Sequence, residues 1–311
     1  MFMQKSVLAI ISVLVLAGCV GQASNTTTVT GTGLAITSFA PDADTQFSTK
    51  TVRLLLDAEN QGEATVAKDY SQIYLMGPIG ASDLDWKLSN ADSEPQGQSF
   101  KRDLNPANPT EERPAGTDNL RWTLTAPSIP KGQQRVDTFT ARAYYNYSTE
   151  AIGAIEAYSE AESVATRNAK QTLAKSSFTV SKGPLTLDVK IIPDPVIVTS
   201  DTEVVTVDVK VTNNGGGTVY SAGAVTKTTN PPSLKPEDLN KVTLTIVGTG
   251  LTAVGACNPN QELIAGKPTS LTCDFSILKS DVSTTKSFPL KITLNYGYYV
   301  DATTQVTAVG R

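Results

Sequence analysis

Chemistry has few places to sit in this chain of 311 residues, because histidine is absent and cysteine occurs three times. Losing the imidazole removes the commonest general base and metal ligand, and with them Ser-His-Asp and Cys-His catalysis. Thiol, phenol, carboxylate and amide groups remain. Cys19 closes an apolar run over residues 7–17 that follows one positive charge, Lys5. This layout is a secretion signal, too short to span a bilayer stably. The small residues Ala17 and Gly18 suit a signal peptidase. Export places Cys257 and Cys273 in an oxidising compartment, where an even pair is expected to bridge. The closed loop spans about 16 residues, a constraint worth roughly 3 kcal/mol in the chain-entropy model. A two-ligand metal site or a redox pair would need further ligands or tighter spacing.

The tetrapeptide Leu16-Ala17-Gly18-Cys19 resembles the lipobox of prokaryotic lipoproteins. The resemblance implies that residues 1–18 are a lipoprotein signal peptide. It also implies that the Cys19 thiol carries a diacylglyceryl-type lipid, which holds the membrane. Two acyl chains anchor stably where one binds only marginally. The alternative is an ordinary signal cleaved later, after Ala23, with Cys19 there by chance. Residues 19–33 are polar and Thr-rich, with too little apolar surface to offset the entropy of ordering, and read as a flexible tether.

Other residues bear on binding. Asn25 and Asn146 head N-x-Thr and N-x-Ser triplets and are candidate glycosylation sites, Asn25 the better placed. Tyrosines recur in two clusters: Tyr144, Tyr145 and Tyr147, then Tyr296, Tyr298 and Tyr299. Alternation sends some inward to fill a core and leaves Tyr144 and Tyr298 as candidate exposed aromatic contacts for a sugar or protein. The acid pairs Asp42/Asp44 and Asp83/Asp85 are too few for calcium, which takes roughly six to eight oxygens, so no metal and no cofactor are expected. The polar stretch 90–116 is long for a loop and is where specific binding is expected.

The elements that hold these groups read as strands. Val52, Leu54 and Leu56 alternate with outward residues before Asn60-Gln61-Gly62, and Val205, Val207, Val209 and Val211 do so before Asn213-Asn214-Gly215. Period two over such a length marks a half-buried strand. Val52 falls on Val205 and Asn60 on Asn213, while Asn146-Tyr147 falls on Asn295-Tyr296 near the other end. In that register Leu124 stands where Cys273 does. The chain is a tandem repeat of whole domains, each with about seven short strands between Gly, Pro and Asn turns. The fold class is all-β, with two antiparallel sandwiches at 34–158 and 185–311. Between them Ser159 and Glu162 form a capping box, acids open the segment, and Arg167, Lys170 and Lys175 close it. This predicts a short helical connector within 159–184 that spaces the modules.

A strand running into an Asn-x-Gly turn (52–66, 205–219), followed by a Tyr-rich last strand (139–147, 288–299), resembles the immunoglobulin-like CARDB-type adhesion modules of archaeal and bacterial envelope proteins. The resemblance implies an extracellular immunoglobulin-like sandwich that binds or spaces without catalysis. It carries no binding residue onto this chain. The expected function is that of a lipid-anchored protein on the outer face of the cell membrane or envelope, whose partners are the membrane and a cell-surface protein or glycan. The charge balance, 26 basic against 30 acidic residues, offers no phosphate-binding stripe, so nucleic acid is not an expected partner. Self-association stays open, the alternative being a secreted subunit of an extracellular filament or surface lattice assembled by β-strand pairing.

Overall fold

Period-two alternation becomes strand wherever one face can be buried. In the computed structural model, which describes residues 33–92, 94–225, 232–255, 257, 260–264 and 267–311, strands dominate both repeats. The first repeat forms β1 (Leu34–Pro41), β2 (Thr45–Phe47), β3 (Thr51–Asn60), β4 (Ser71–Met76), β5 (Lys87–Leu88), β6 (Gly97–Gln98), β7 (Thr117–Thr125) and β8 (Gln134–Ser159). Helix α1 (Glu160–Asn168) and β9 (Ser177–Val180) follow. The second repeat forms β10 (Leu185–Ile192), β11 (Val196–Val198), β12 (Thr202–Asn213), β13 (Thr218–Tyr220), β14 (Lys241–Gly248), β15 (Thr252–Val254), β16 (Asn260–Glu262), β17 (Thr269–Leu278) and β18 (Thr285–Val309). In β3 the residues Val52, Leu54, Leu56 and Ala58 are buried, and in β12 Val205, Val207, Val209 and Val211 are, as alternation predicts.

Two four-stranded sheets, β1-β3-β7-β5 and β10-β12-β17-β15, lie against one ten-stranded sheet whose spine is β16-β14-β18-β8-β4-β6. The inward faces share one core, in which Trp86 meets Phe139 edge-on at 5.5 Å. The Trp86 indole N–H is satisfied there by Asp137 at 2.7 Å.

The expectation of two self-contained sandwiches at 34–158 and 185–311 is corrected by the long strands. β8 runs for 26 residues and β18 for 25, and they pair antiparallel from Gln134 opposite Val309 to Tyr158 opposite Thr285. β8 begins in the first sandwich beside β4 and ends in the second, flanked by antiparallel β9 and parallel β11. β18 does the reverse, beginning beside β14 and ending beside parallel β2. Each repeat therefore donates the end of its last strand to the other's sandwich. The inward pattern continues along the donated parts, save at the half-buried Gly153: Thr149, Ala151, Ile155 and Ala157 are buried in one, and Val300, Ala302, Thr304, Val306 and Ala308 in the other.

A local twofold relates the halves. The Leu34 N–H donates to Tyr145 Oη and the Leu185 N–H to Tyr296 Oη, both at 3.3 Å and both across 111 residues. Equivalent positions at these contacts lie 151 apart (185 − 34 and 296 − 145), which sets Asn146 on Gly297. Those two residues oppose each other in the ladder, so the axis passes between them. The register that put Asn146-Tyr147 on Asn295-Tyr296 is thus two residues out. Cys273 is likewise matched by Trp122, not Leu124, because Val207 opposes Cys273 as Leu54 opposes Trp122. Tyrosine at every second position makes a two-residue slip invisible to alternation, which repeats at that interval.

Helix α1 forms from its cap, Ser159 Oγ accepting from the Glu162 N–H at 3.3 Å. It does not space two bodies. It follows the far end of β8, and the chain then returns along β8 as β9, with Ala154 opposite Ser177 and Ala151 opposite Val180, before β10 starts beside the twofold.

At the axis the Tyr220 ring lies over Gly297, where an added Cβ would fall within the ring, and Tyr220 Oη donates to the Tyr145 carbonyl at 3.3 Å. Overpacking a filled core costs about 1–3 kcal/mol. Gly297→Ala is expected to lower the unfolding free energy by that amount, read as a lower urea midpoint at unchanged slope, and an unchanged midpoint would show that the ring is not seated there.

Candidate functional site

The site to which most side chains converge is the junction at the twofold. Alternation turns Tyr145 and Tyr147 of β8 and Tyr296 and Tyr298 of β18 inward, and the register sets Tyr145 opposite Tyr298 and Tyr147 opposite Tyr296. Their rings form a closed circuit, with centroids 5.9 Å apart for Tyr145–Tyr147, 6.2 Å for Tyr147–Tyr296, 6.3 Å for Tyr296–Tyr298 and 5.8 Å for Tyr298–Tyr145. The hydroxyls reach into both small sheets. Tyr145 and Tyr296 accept from the first residues of β1 and β10, and Tyr147 and Tyr298 accept from the Ala64 and Gly217 N–H groups at 3.1 and 2.8 Å.

Those last two amides follow the Asn-x-Gly turns. Asn60 Oδ1 accepts from Gly62 N–H at 3.1 Å and its Nδ2 donates to the Ala64 carbonyl at 2.7 Å; Asn213 repeats this with Gly215 and Gly217 at 3.2 and 2.9 Å. Tyr298 Oη adds a donation to Asn213 Oδ1 at 2.7 Å. Burial holds the phenols of Tyr145, Tyr147, Tyr296 and Tyr298 above their ordinary pKa. Kept neutral and hydrogen-bonded, they join backbone segments and are poor nucleophiles.

On the opposite face of the ladder Tyr144 pairs with Tyr299 and packs on it and on Tyr220, centroids 5.5 and 6.2 Å away. Arg142 grips Asp301 through two bonds of 2.6 and 2.7 Å, and its guanidinium stacks 4.3 Å from the Tyr299 centroid. That carboxylate raises the Arg142 pKa further and keeps it charged. Tyr144 and Tyr298, expected as exposed contacts, are buried at 4 % and 0 % exposure. Tyr298 faces the core, and Tyr144 packs in a cluster with Tyr74 and Tyr220 against which Leu234 and Leu239 also pack. Neither ring is open to a ligand.

The remaining expected residues scatter. Cys257 and Cys273 form the disulfide, with Cα atoms 5.4 Å apart across a separation of 16. Trp122, at the matching place in the first repeat, ties β7 to its neighbouring loop by donating from Nε1 to the Pro95 carbonyl at 3.1 Å. Asn146 sits mid-strand at the axis, opposite Gly297. Cys19 and Asn25, with the expected signal and nearly all of the tether, lie outside the described residues. Asp42 accepts from the Arg53 N–H at 2.9 Å and Asp83 pairs with Lys87 at 2.8 Å; among the described residues no three His, Cys, Asp or Glu gather as a metal site would need.

The 90–116 loop does build a concavity. Leu55, Asp57, Glu94, Gln98, Lys101 and Arg121 line a groove of about 510 Å³ over the outer face of β3 and β7. Glu94 is nearly buried, and Arg121 holds its Oε1 at 2.7 Å through Nε and 2.6 Å through Nη2. The sequence located the loop but missed Leu55 and Arg121. The available signal was Leu55 itself, an apolar residue at an outward position of β3, 42 % exposed. Chemically the groove offers two cations, Lys101 and Arg121, with carboxylates, amides and a small apolar spot.

No family model matches the chain, and no curated protein does. Among solved structures, that of the Enterococcus faecalis MSCRAMM ACE, described as binding its ligands by the collagen hug model, overlaps 89 % of this chain and 94 % of its own at 10 % identity, with a TM-score of 0.14. The collagen adhesin CNA from S. aureus overlaps 88 % and 92 % at 9 % identity, with a TM-score of 0.11. Overlaps at such scores carry no argument about fold or ligand.

The buried phenols make a signed prediction about pH. Their folded pKa lies above the unfolded value near 10, so their contribution is complete below about pH 10 and is lost as pH rises further, by about 1.4 kcal/mol per pH unit for each tyrosine. Tyrosinate absorbance of these residues is expected to appear together with loss of the far-ultraviolet strand signal in one steep alkaline step. Their ionisation in a chain still folded would contradict the burial described.

Proposed function

We propose that this chain is an exported, lipid-anchored cell-surface protein that binds or spaces and does not catalyse. The observation that carries the reading is Leu16-Ala17-Gly18-Cys19 at the end of an apolar run, followed by a polar stretch and then by a body of strands. The body suits such a role, since strand exchange and a disulfide give a stiff support for a surface groove. An immunoglobulin-like origin for each half is supported by the strand order β1-β3-β7-β5 facing β4 and β8, and by the parallel pairing of β2 with a last strand. The CARDB-type kinship remains the proposal made from the strand and turn pattern. On this reading the partners are a membrane, through Cys19, and a cell-surface protein or glycan, with the 94–101 groove as the place to engage it.

A filament built by strand pairing has less in its favour. The outermost strands of the large sheet, β6 and β16, span two and three residues, which leaves β1 and β10, eight residues each at the edges of the small sheets, as the edges a filament would have to use. Short edges are poor templates for another chain.

The test is the intact mass of the protein purified from its own membranes, before and after reduction. The expected species is Cys19–Arg311 plus a diacylglyceryl-type lipid, gaining two hydrogens when reduced. A lipid-free chain starting downstream of Cys19 would sink the anchored reading.

A further inference from the structure

We infer that two copies of this chain pair edge to edge through β10, antiparallel and centred on Val189, joining their small sheets into one continuous sheet. β10 is the outer strand of β10-β12-β17-β15 and pairs with β12 residue for residue from Leu185 to Ile192. Its counterpart at the edge of the other small sheet, β1, carries a register shift between Ile36 and Ser38. Such a break bends an edge and blunts it as a template for another chain. β10 has no such break. The Leu185 N–H donates to Tyr296 Oη and its carbonyl accepts from Thr149 Oγ1, whereas the preceding carbonyl, of Pro184, accepts from the Asn214 N–H just past β12. Direction alternates along an antiparallel ladder, so Leu187, Val189 and Ile191 also turn their N–H and carbonyl groups away from β12. Among the described residues no strand pairs with that edge.

Charge then selects both the occupant and the register. Asp188 and Lys190 are exposed on the outer face of β10, two residues apart and 3.8 Å from each other at their charged ends. With Val189 on the axis, Asp188 lies opposite Lys190 of the second copy, and Lys190 opposite its Asp188. These are the closer, non-hydrogen-bonded positions of the new ladder, where opposite charges attract best. The outward backbone groups are satisfied in the same register, Val189 meeting Val189 and Leu187 meeting Ile191. Moving the centre by one residue sets Asp188 on Asp188 or Lys190 on Lys190. It also brings Ile191 against Leu185, whose groups are taken, or Leu187 against Pro193, which has no N–H. A strand that is complementary to itself points to a second copy of this chain as its partner. Apolar surface is present at this edge as well: half-buried Val189 and Phe178 border a groove of about 350 Å³ between β10 and β9. An isologous contact closes at two copies and builds no filament. The groove over β3 and β7 lies on the other small sheet, outside the contact, so the pair offers a surface partner two such grooves at once.

The test is sedimentation equilibrium of the full native protein in density-matched detergent over a concentration series. A concentration-dependent dimer and nothing larger is expected. Asp188→Lys alone and Lys190→Asp alone each set like charges together on both sides of the axis, and each is expected to weaken the dimer by about tenfold or more. The double exchange Asp188→Lys with Lys190→Asp restores opposite charges across the axis and is expected to recover the dimer. Both side chains are exposed, so these variants are expected to keep the fold, checked by the far-ultraviolet strand signal and the Cys257–Cys273 bridge. Val189→Cys reads the register: on mild oxidation the linked peptides are expected to join residue 189 of one copy to residue 189 of the other. Monomer at every concentration, species larger than a dimer, a dimer indifferent to the single exchanges, or a folded double exchange that stays monomeric overturns the pairing. A dimer in which residue 189 does not link to itself overturns it too. None of these results bears on Cys19, so the anchored reading stands or falls separately.

Discussion

The pairing of β8 with β18 is the constraint on which the rest of the structure depends. Twenty-five consecutive cross-strand pairs carry each strand out of the sandwich that contains its first half and into the other. Neither half then has a complete large sheet without the other's strand. The donated ends are held on both edges: the end of β18 lies between β8 and β2, and the end of β8 between β18 and β11. Backbone donors and acceptors that would otherwise form an exposed edge are satisfied inside one chain.

The tyrosine circuit is what a twofold at this place requires. Two strands crossing an axis make the pairs on either side of it equivalent, so Tyr145 meets Tyr298 as Tyr296 meets Tyr147, with their hydroxyls pointing toward the two small sheets. Four large rings fill the junction where both sandwiches meet, and their polar tips fasten the starts of β1 and β10 and the two Asn-x-Gly turns. A buried phenol without a partner would be costly, and here each has one. The axis is not perfect. Gly297 stands opposite Asn146 because Tyr220 occupies the space above it, and no equivalent tyrosine serves the first repeat at position 67, an alanine. Of the two charged pairs beside the axis, only the acids follow the symmetry: Asp301 and Glu150 are 151 apart, whereas their partners Arg142 and Lys291 are 149 apart.

Most of the strands were legible because each buries one face: Val52 to Leu56 and Val205 to Val211 alternate, and the valines and leucines are the ones buried. The duplication was legible in the same residues, as were the Ser159 cap and the Cys257–Cys273 bridge. What escaped was the partner of each last strand. Alternation says which face is buried but is silent about which chain segment lies alongside, so the run over 134–158 is assigned whole to the first sandwich. The exposure expected of Tyr144 failed for the same reason, whereas that of Tyr298 went against the alternation that places it inward with Tyr296. Tyr144 looks outward on its own strand, yet Tyr220 and Leu234, distant in sequence, cover that face. The groove residues were half legible: polarity marked the 90–116 loop, whereas Arg121 belongs to it only through the fold of β7 beneath Glu94.

Reciprocal strand exchange is tested most directly by two engineered cysteine pairs in otherwise native protein, Thr138→Cys with Gln305→Cys in the first sandwich and Ile152→Cys with Lys291→Cys in the second. Both pairs are register partners whose members lie on opposite long strands. Each is expected to bridge within one chain on mild oxidation, giving a monomer two hydrogens lighter, with the Cys257–Cys273 bridge retained. Two independent sandwiches would keep β8 and β18 apart, and failure of either pair to bridge, or bridging only between chains, would contradict the exchange.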